Sequence, residues 1–188
     1  VVATEARAGK EARTTAEMSR REFEGIFAGF YITAHPTGLP RETPGKGSNI
    51  SWAGKEAVRN IIDPRGLPHE HVMVSVFDVD TEIYPEYFGI LTYNYLTNEK
   101  PLRRSYQPIP LFNNNIWDAP AFSRVVATSG TFWQMMQQAR PERLATFSSQ
   151  SIPLAPLVEM AYWHTNMVSE DSRIFWQALI YFDGDYQV

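Results

Sequence analysis

The chain of 188 residues has no cysteine. Disulfides and thiolate metal sites are therefore excluded, and the composition fits a reducing compartment. It also lacks an uninterrupted apolar run of about 18 residues, the length at which a segment can cross a bilayer. Positive charge is not in excess: 17 lysines and arginines stand against 21 acidic residues, a net charge of −4. Binding to nucleic acid through phosphates is disfavoured on that ground, and no nucleic-acid partner is expected. What the chain does have is apolar and aromatic residues, 44% and 13% of the total. That is enough for a domain with a real core and argues against disorder. The opening VVAT reads as a strand and the closing DGDYQV as the start of another. A single domain over 1–188 is expected, as a fragment of something longer.

Periodicity organises the chain. Residues 5–20 are polar, a solvated loop or helix start, and Phe23, Ile26, Phe27 and Phe30 follow helical spacing, so a helix is expected over 19–30. A short strand, 31–36, stops at Pro36. Residues 36–47 hold three prolines and three glycines and read as loop. A helix follows over 48–62 with Ser48 as N-cap. Residues 71–77 are a buried strand, 84–97 a helix with Pro85 near its first turn, and 103–112 a strand fraying at its prolines. One long helix is expected over 119–139 despite Ser129-Gly130. Residues 144–149 read as a strand or its exit, and 153–163 and 170–182 as helices. Strands alternating with helices point to an α/β layered fold with a mostly parallel sheet. In such sheets ligands bind beyond the carboxyl ends of the strands.

Three short stretches could carry chemistry there, and each has a plain structural alternative. Asp78-Val79-Asp80 follows a buried strand. Two hard-oxygen carboxylates suit a divalent cation that also takes phosphate oxygens, but a D-x-D is common in acidic turns. In PGKGSNISWA (44–53), Gly45 and Gly47 let backbone approach a ligand, and Lys46 beside a helix N-terminus suits an anion. A lysine in a surface loop is the alternative, and the order does not fit a Walker P-loop. In MVSEDSRIFWQAL (167–179), Ser169 can N-cap a helix whose first turn holds Glu170 and Asp171. That fit is structurally complete, yet a carboxylate so presented can also serve as a general base. His69 and His71 around Glu70 read as surface loop before metal pair. His164 reads as a partly buried histidine, and Trp133, Met135 and Met136 as core or a buried interface.

Taken in order, Lys46-Gly47-Ser48-Asn49, Asp78-Val79-Asp80 and Ser169-Glu170-Asp171 resemble the motifs of a family 2 glycosyltransferase domain of the GT-A fold, as in cellulose-synthase-like enzymes. The resemblance runs over the whole chain. It implies a Rossmann-like, mostly parallel sheet flanked by helices, incomplete at the N-terminus. It also implies a nucleotide-diphosphate-sugar donor, a carbohydrate or lipid-linked acceptor and a divalent metal, Mg²⁺ or Mn²⁺. Carried over by position, Asp80 ligates the metal and Asp78 contacts the nucleotide-sugar. Lys46 and Asn49 lie near the donor's phosphates. Asp171 is the base, supported by Glu170, and Ser149 and Gln150 are on the acceptor side. Such an enzyme is expected to be cytoplasmic, at the cytoplasmic face of a membrane if segments outside this fragment anchor it.

The chain also departs from that family. A Pro-x-(Tyr/Phe)-Asn-Glu-like segment on a first strand is missing, with Glu5 as a stand-in for a following aspartate. Ser149 stands where glycine is expected, and no Q-x-x-R-W motif occurs. Two alternatives therefore stay open: a catalytically inactive GT-A-like binding or assembly module, and a metal-dependent nucleotidyltransferase or phosphohydrolase.

Overall fold

The computed structural model describes residues 1–140 and 143–188. Strand β1 (Val2–Glu5) pairs in parallel with β2 (Ile32–His35), in the register Val2 to Ile32 through Glu5 to His35. Helix α1 (Gly9–Glu22) connects them. The helix expected over 19–30 has thus moved towards the N-terminus. Gly25 at φ 79° lies outside right-handed helical space, so the chain turns there and leaves Ile26 and Phe27 exposed.

Helix α2 (Lys46–Ala57) packs on this pair, and its Asn49 amide donates to the Ala3 carbonyl at 3.1 Å. The helix ends in a wider π-type turn over Val58–Ile62. Strand β3 (Met73–Val76) then pairs antiparallel with β4 (Gln150–Pro153). Among the described residues, then, the mixed α/β chain holds one parallel pair and one antiparallel pair, where a larger, mostly parallel sheet was expected. Residues 103–112 contribute only single bridges, Arg104 to Gln187 and Tyr106 to Ser151.

Helix α3 (Tyr87–Thr97) follows β3, and α4 (Ala121–Gln138) forms unbroken through Ser129-Gly130. Helices α5 (Leu154–Glu159) and α6 (Glu170–Tyr181) complete the chain. The core gathers around β4, α5 and α6: Ile152, Leu154, Leu157, Trp163, Ile174 and Ala178 are all buried in one cluster. By contrast α4 has no buried residue. Trp133, Met135 and Met136, expected in a core or interface, are exposed in this chain. His164 is likewise exposed rather than partly buried. No described helix is long and apolar enough to cross a membrane.

Candidate functional site

The D-x-D turn is anchored just before it leaves β3. Phe77 stands edge-on to Tyr87, with ring centroids 5.5 Å apart, and to Phe88 at 6.3 Å. The Thr81 N–H then closes the turn on the Asp78 carbonyl at 3.0 Å. Asp78 is half-buried and Asp80 exposed. Lys46 Nζ reaches Asp78 Oδ1 at 2.6 Å. Ser148 Oγ donates to Asp78 Oδ2 and accepts from Lys46 Nζ at 3.3 Å. Burial alone would raise the Asp78 carboxyl. The hydrogen bonds from Lys46 and Ser148, with the Lys46 charge, outweigh it and hold the group below its ordinary value.

Lys46 opens α2, but Ser48 is not the cap. The N-cap position is Gly45, and the Ser48 hydroxyl donates back to the carbonyls of Thr43 and Gly45 at 2.9 and 3.0 Å. Gly47 is buried for a different reason from the one its sequence setting suggests. A Cβ there would lie 2.9 Å from the His164 carbonyl oxygen and 3.0 Å from Glu170 Cβ. The close approach it permits is therefore to the start of α6, within the protein. Glu170 is 2% exposed, and its Oε2 has no hydrogen-bond partner among the described residues. Burial pushes its carboxyl up, helped by the Asp171 and Asp78 charges and opposed by its own backbone N–H and by Lys46. Ser169 occupies the N-cap position of α6 without a side-chain capping bond. Instead Asp171 Oδ1 accepts the Ser172 N–H at 2.9 Å.

Residues 146–150 tie these parts together. Thr146 Oγ1 and Gln150 Nε2 both donate to the Asp171 carbonyl, at 2.5 and 3.1 Å. Ser149 Oγ pairs with Thr81 Oγ1 at 3.1 Å. Ser149 also adopts φ 62°, the left-handed conformation that glycine tolerates best. Lys46, Asp78 and Glu170 thus come together electrostatically, whereas Asn49 and Gln150 hold backbone carbonyls of their own chain. Gln150, expected on an acceptor side, is buried with its amide on the Asp171 carbonyl. Glu5 is paired with Arg7 at 2.5 Å. Sequence reasoning missed Ser148, Gln107 and Asn114. Gln107 accepts the Phe147 N–H at 2.6 Å, and the Asn114 amide donates to the Asp80 carbonyl at 3.1 Å. The serine run FSSQS was a visible signal for Ser148; nothing local marks the other two.

A cavity of about 660 Å³ opens at the turn, lined by Asp78, Asp80, Ser148 and Ser149 among others, while Lys46, Glu170 and Asp171 lie outside its lining. Asp80 makes no side-chain hydrogen bond or ion pair with a described residue. Asp80 offers free hard-oxygen ligands to a Mg²⁺-like cation that completes its shell with phosphate and water, whereas both Asp78 oxygens are engaged by Lys46 and Ser148, so Asp78 could join it only by releasing Lys46. Among the described residues no cluster of three acidic or histidine side chains could hold an ion alone. His69 is engaged with Asp63 at 2.9 Å on the surface. No family model matches the chain, and neither a curated protein nor a solved structure matches it.

Proposed function

We propose that the chain is the catalytic part of an inverting, nucleotide-sugar-dependent glycosyltransferase with a GT-A-like arrangement. The observation that carries this reading is the 2.6 Å contact of Lys46 with Asp78, one residue from Gly47, against which Glu170 packs. Three segments far apart in sequence thereby meet at the end of a strand, with opposite charges side by side. Such a meeting point suits a diphosphate leaving group on one side and a proton acceptor on the other.

In this reaction the bond from the anomeric carbon to the diphosphate oxygen breaks, and its electron pair leaves with the diphosphate. The acceptor oxygen forms the new bond from the opposite face and gives its proton to a carboxylate. Asp78 and Asp80 are the residues that would hold a divalent cation, which supplies positive charge where the diphosphate departs. Lys46, now on Asp78, would turn to the donor's phosphates. Asp171 would take the acceptor's proton through the oxygen not bonded to Ser172. Glu170, kept from ionising readily by burial, would avoid adding a second negative charge beside it.

The test is calorimetric titration of the whole protein with UDP and GDP in the presence of Mn²⁺, followed by a transfer assay. The expected result is metal-dependent, saturable binding, abolished by Asp80→Asn with the thermal melt unchanged. Asp171→Asn should leave donor binding intact and reduce transfer by about 10²-fold or more, the scale of a lost general base. Metal-independent turnover by Asp80→Asn would remove the metal role, and full transfer by Asp171→Asn would remove the base.

One observation favours a second reading, a binding module without catalysis: the Asp171 carboxylate is turned back on its own helix at Ser172. Absence of any heat with nucleoside diphosphate and Mn²⁺ would favour that module.

A further inference from the structure

A second cavity, of about 590 Å³, shares no lining residue with the one at the D-x-D turn. Helix α6 supplies Phe175, Trp176 and Leu179 to it, and Leu144 joins them from the segment before β4. Leu144 and Phe175 are buried, so part of the lining is apolar. Trp176 stands edge-on to Phe175, with ring centroids 5.0 Å apart, and is 50% exposed. Arg104 and Arg143 bring positive charge, and no aspartate or glutamate is among the described residues that line the cavity.

We infer that this cavity binds a small aromatic anion, a carboxylate or phosphate head carried on an aromatic ring. The inference does not depend on the transferase reading. Neither guanidinium forms an ion pair with a described carboxylate, and the Arg143 side chain makes no hydrogen bond with a described residue. Arg104 donates through Nη2 to Gln187 Oε1, while its Nε is buried with no acceptor among the described residues. Two uncompensated cations bordering one cavity oppose each other, and an oxyanion bound there relieves that opposition. A guanidinium presents its N–H groups as a planar fork that matches the oxygens of a carboxylate or phosphate. Such charge-assisted hydrogen bonds are stronger than neutral ones.

Size and surface then say what the head is attached to. The volume falls within the roughly 300–1,000 Å³ of small-molecule sites, so a bare inorganic ion would leave most of it unfilled. The rest of the ligand meets Leu144, Phe175 and Leu179, which reward apolar area, and the half-exposed Trp176 indole, which rewards a second aromatic ring. The side that carries Arg104 is fixed within the protein. The Ser105 N–H donates to the Gln187 carbonyl at 2.9 Å, and the Gln187 N–H donates to the Arg103 carbonyl at 3.0 Å. The Tyr186 hydroxyl pairs with Ser105 Oγ at 2.9 Å, inside the same junction. A wall held in this way loses little freedom when a ligand arrives.

The experiment is calorimetric titration of the whole protein, without divalent metal, with hydrocinnamate and phenyl phosphate. Hydrocinnamyl alcohol serves as the uncharged counterpart and inorganic phosphate as the bare head. At least one aromatic anion should bind saturably, and the tighter of the two identifies the head group. The alcohol and inorganic phosphate should each bind about tenfold more weakly or worse. Arg143→Gln should weaken the anion by about tenfold, and Arg143→Lys, which keeps the charge and loses the fork, by less. Trp176→Ala should weaken it by about fivefold, the loss of one aromatic contact. Arg143 is exposed and Trp176 half-exposed, so these variants should melt like the parent protein. Tyr84→Ala, in the cavity at the D-x-D turn, should leave the binding unchanged. Failure of both aromatic anions to bind overturns the site, as does the alcohol binding as tightly as hydrocinnamate. So does inorganic phosphate matching phenyl phosphate, or binding that neither Arg143→Gln nor Trp176→Ala weakens. Loss of binding in Tyr84→Ala would place the anion in the other cavity and overturn the assignment as well.

Discussion

Glu170 and Asp78 are neighbours whose carboxyls are pushed in opposite directions. Asp78 is held low because Lys46 and Ser148 bind its ionised form more than burial penalises it. Glu170 is held high because burial dominates and two nearby carboxylates add to it. Their contributions to stability therefore run oppositely with pH. For Asp78, stabilisation is present above the ordinary carboxyl value and is lost as pH falls through its lowered one. For Glu170, it is present below the ordinary value and is lost as pH rises through its raised one. Glu170→Gln removes the second dependence and leaves the first. Relative to the variant, the parent protein should lose melting temperature as pH is raised from about 4, near the ordinary glutamate value, towards neutrality. Thermal melts at several pH values check this. A difference between the two proteins that stays constant with pH would mean that Glu170 titrates alike in the folded and unfolded states and that burial does not raise its carboxyl.

At the level of elements, the junction of α2 and α6 depends on the missing side chain of Gly47. A methyl group there would press on the His164 carbonyl, which is backbone and cannot swing aside. Gly47→Ala should cost about 1–3 kcal/mol, as overpacking typically does. Gly89, in α3, has open space around it, so Gly89→Ala should instead stabilise by about 0.5–1 kcal/mol. Denaturant midpoints of the two variants separate packing from helix propensity. The same contrast shows what local reading can and cannot reach. Helix α6 was legible because acidic residues fill its first turn and apolar ones recur at helical spacing, and α4 because its pattern runs long without a proline. Strand β4 was not legible: Gln150 and Ser151 look like loop. They are buried because Ser151 shares its hydroxyl with Ser75 and Tyr87 across other elements. Gly47 was recognised as a point of close approach, but its partner lies more than a hundred residues away in sequence, where no local pattern can reveal it.

Across the whole molecule, packing is uneven. The buried cluster is built on β4, α5 and α6, while α4 has no buried residue and α3 only Leu91. The order of the candidate motifs along the chain was readable. Their joining through residues 146–150 was not, since it depends on Ser148 and Thr146 reaching other elements. Resistance to local opening follows burial, because an element with little buried apolar surface can unfold without dismantling the rest. Amide hydrogen exchange should therefore be slowest in Ile152, Leu157, Ile174 and Ala178, and much faster throughout α4. Leu157, fully buried, should cost about 2–5 kcal/mol when changed to alanine. Phe132, 62% exposed on α4, should change stability by no more than about 0.5 kcal/mol. Slow exchange throughout α4, or a large loss from Phe132→Ala, would mean that this helix is covered in solution and that the stable unit extends beyond the β4–α5–α6 core.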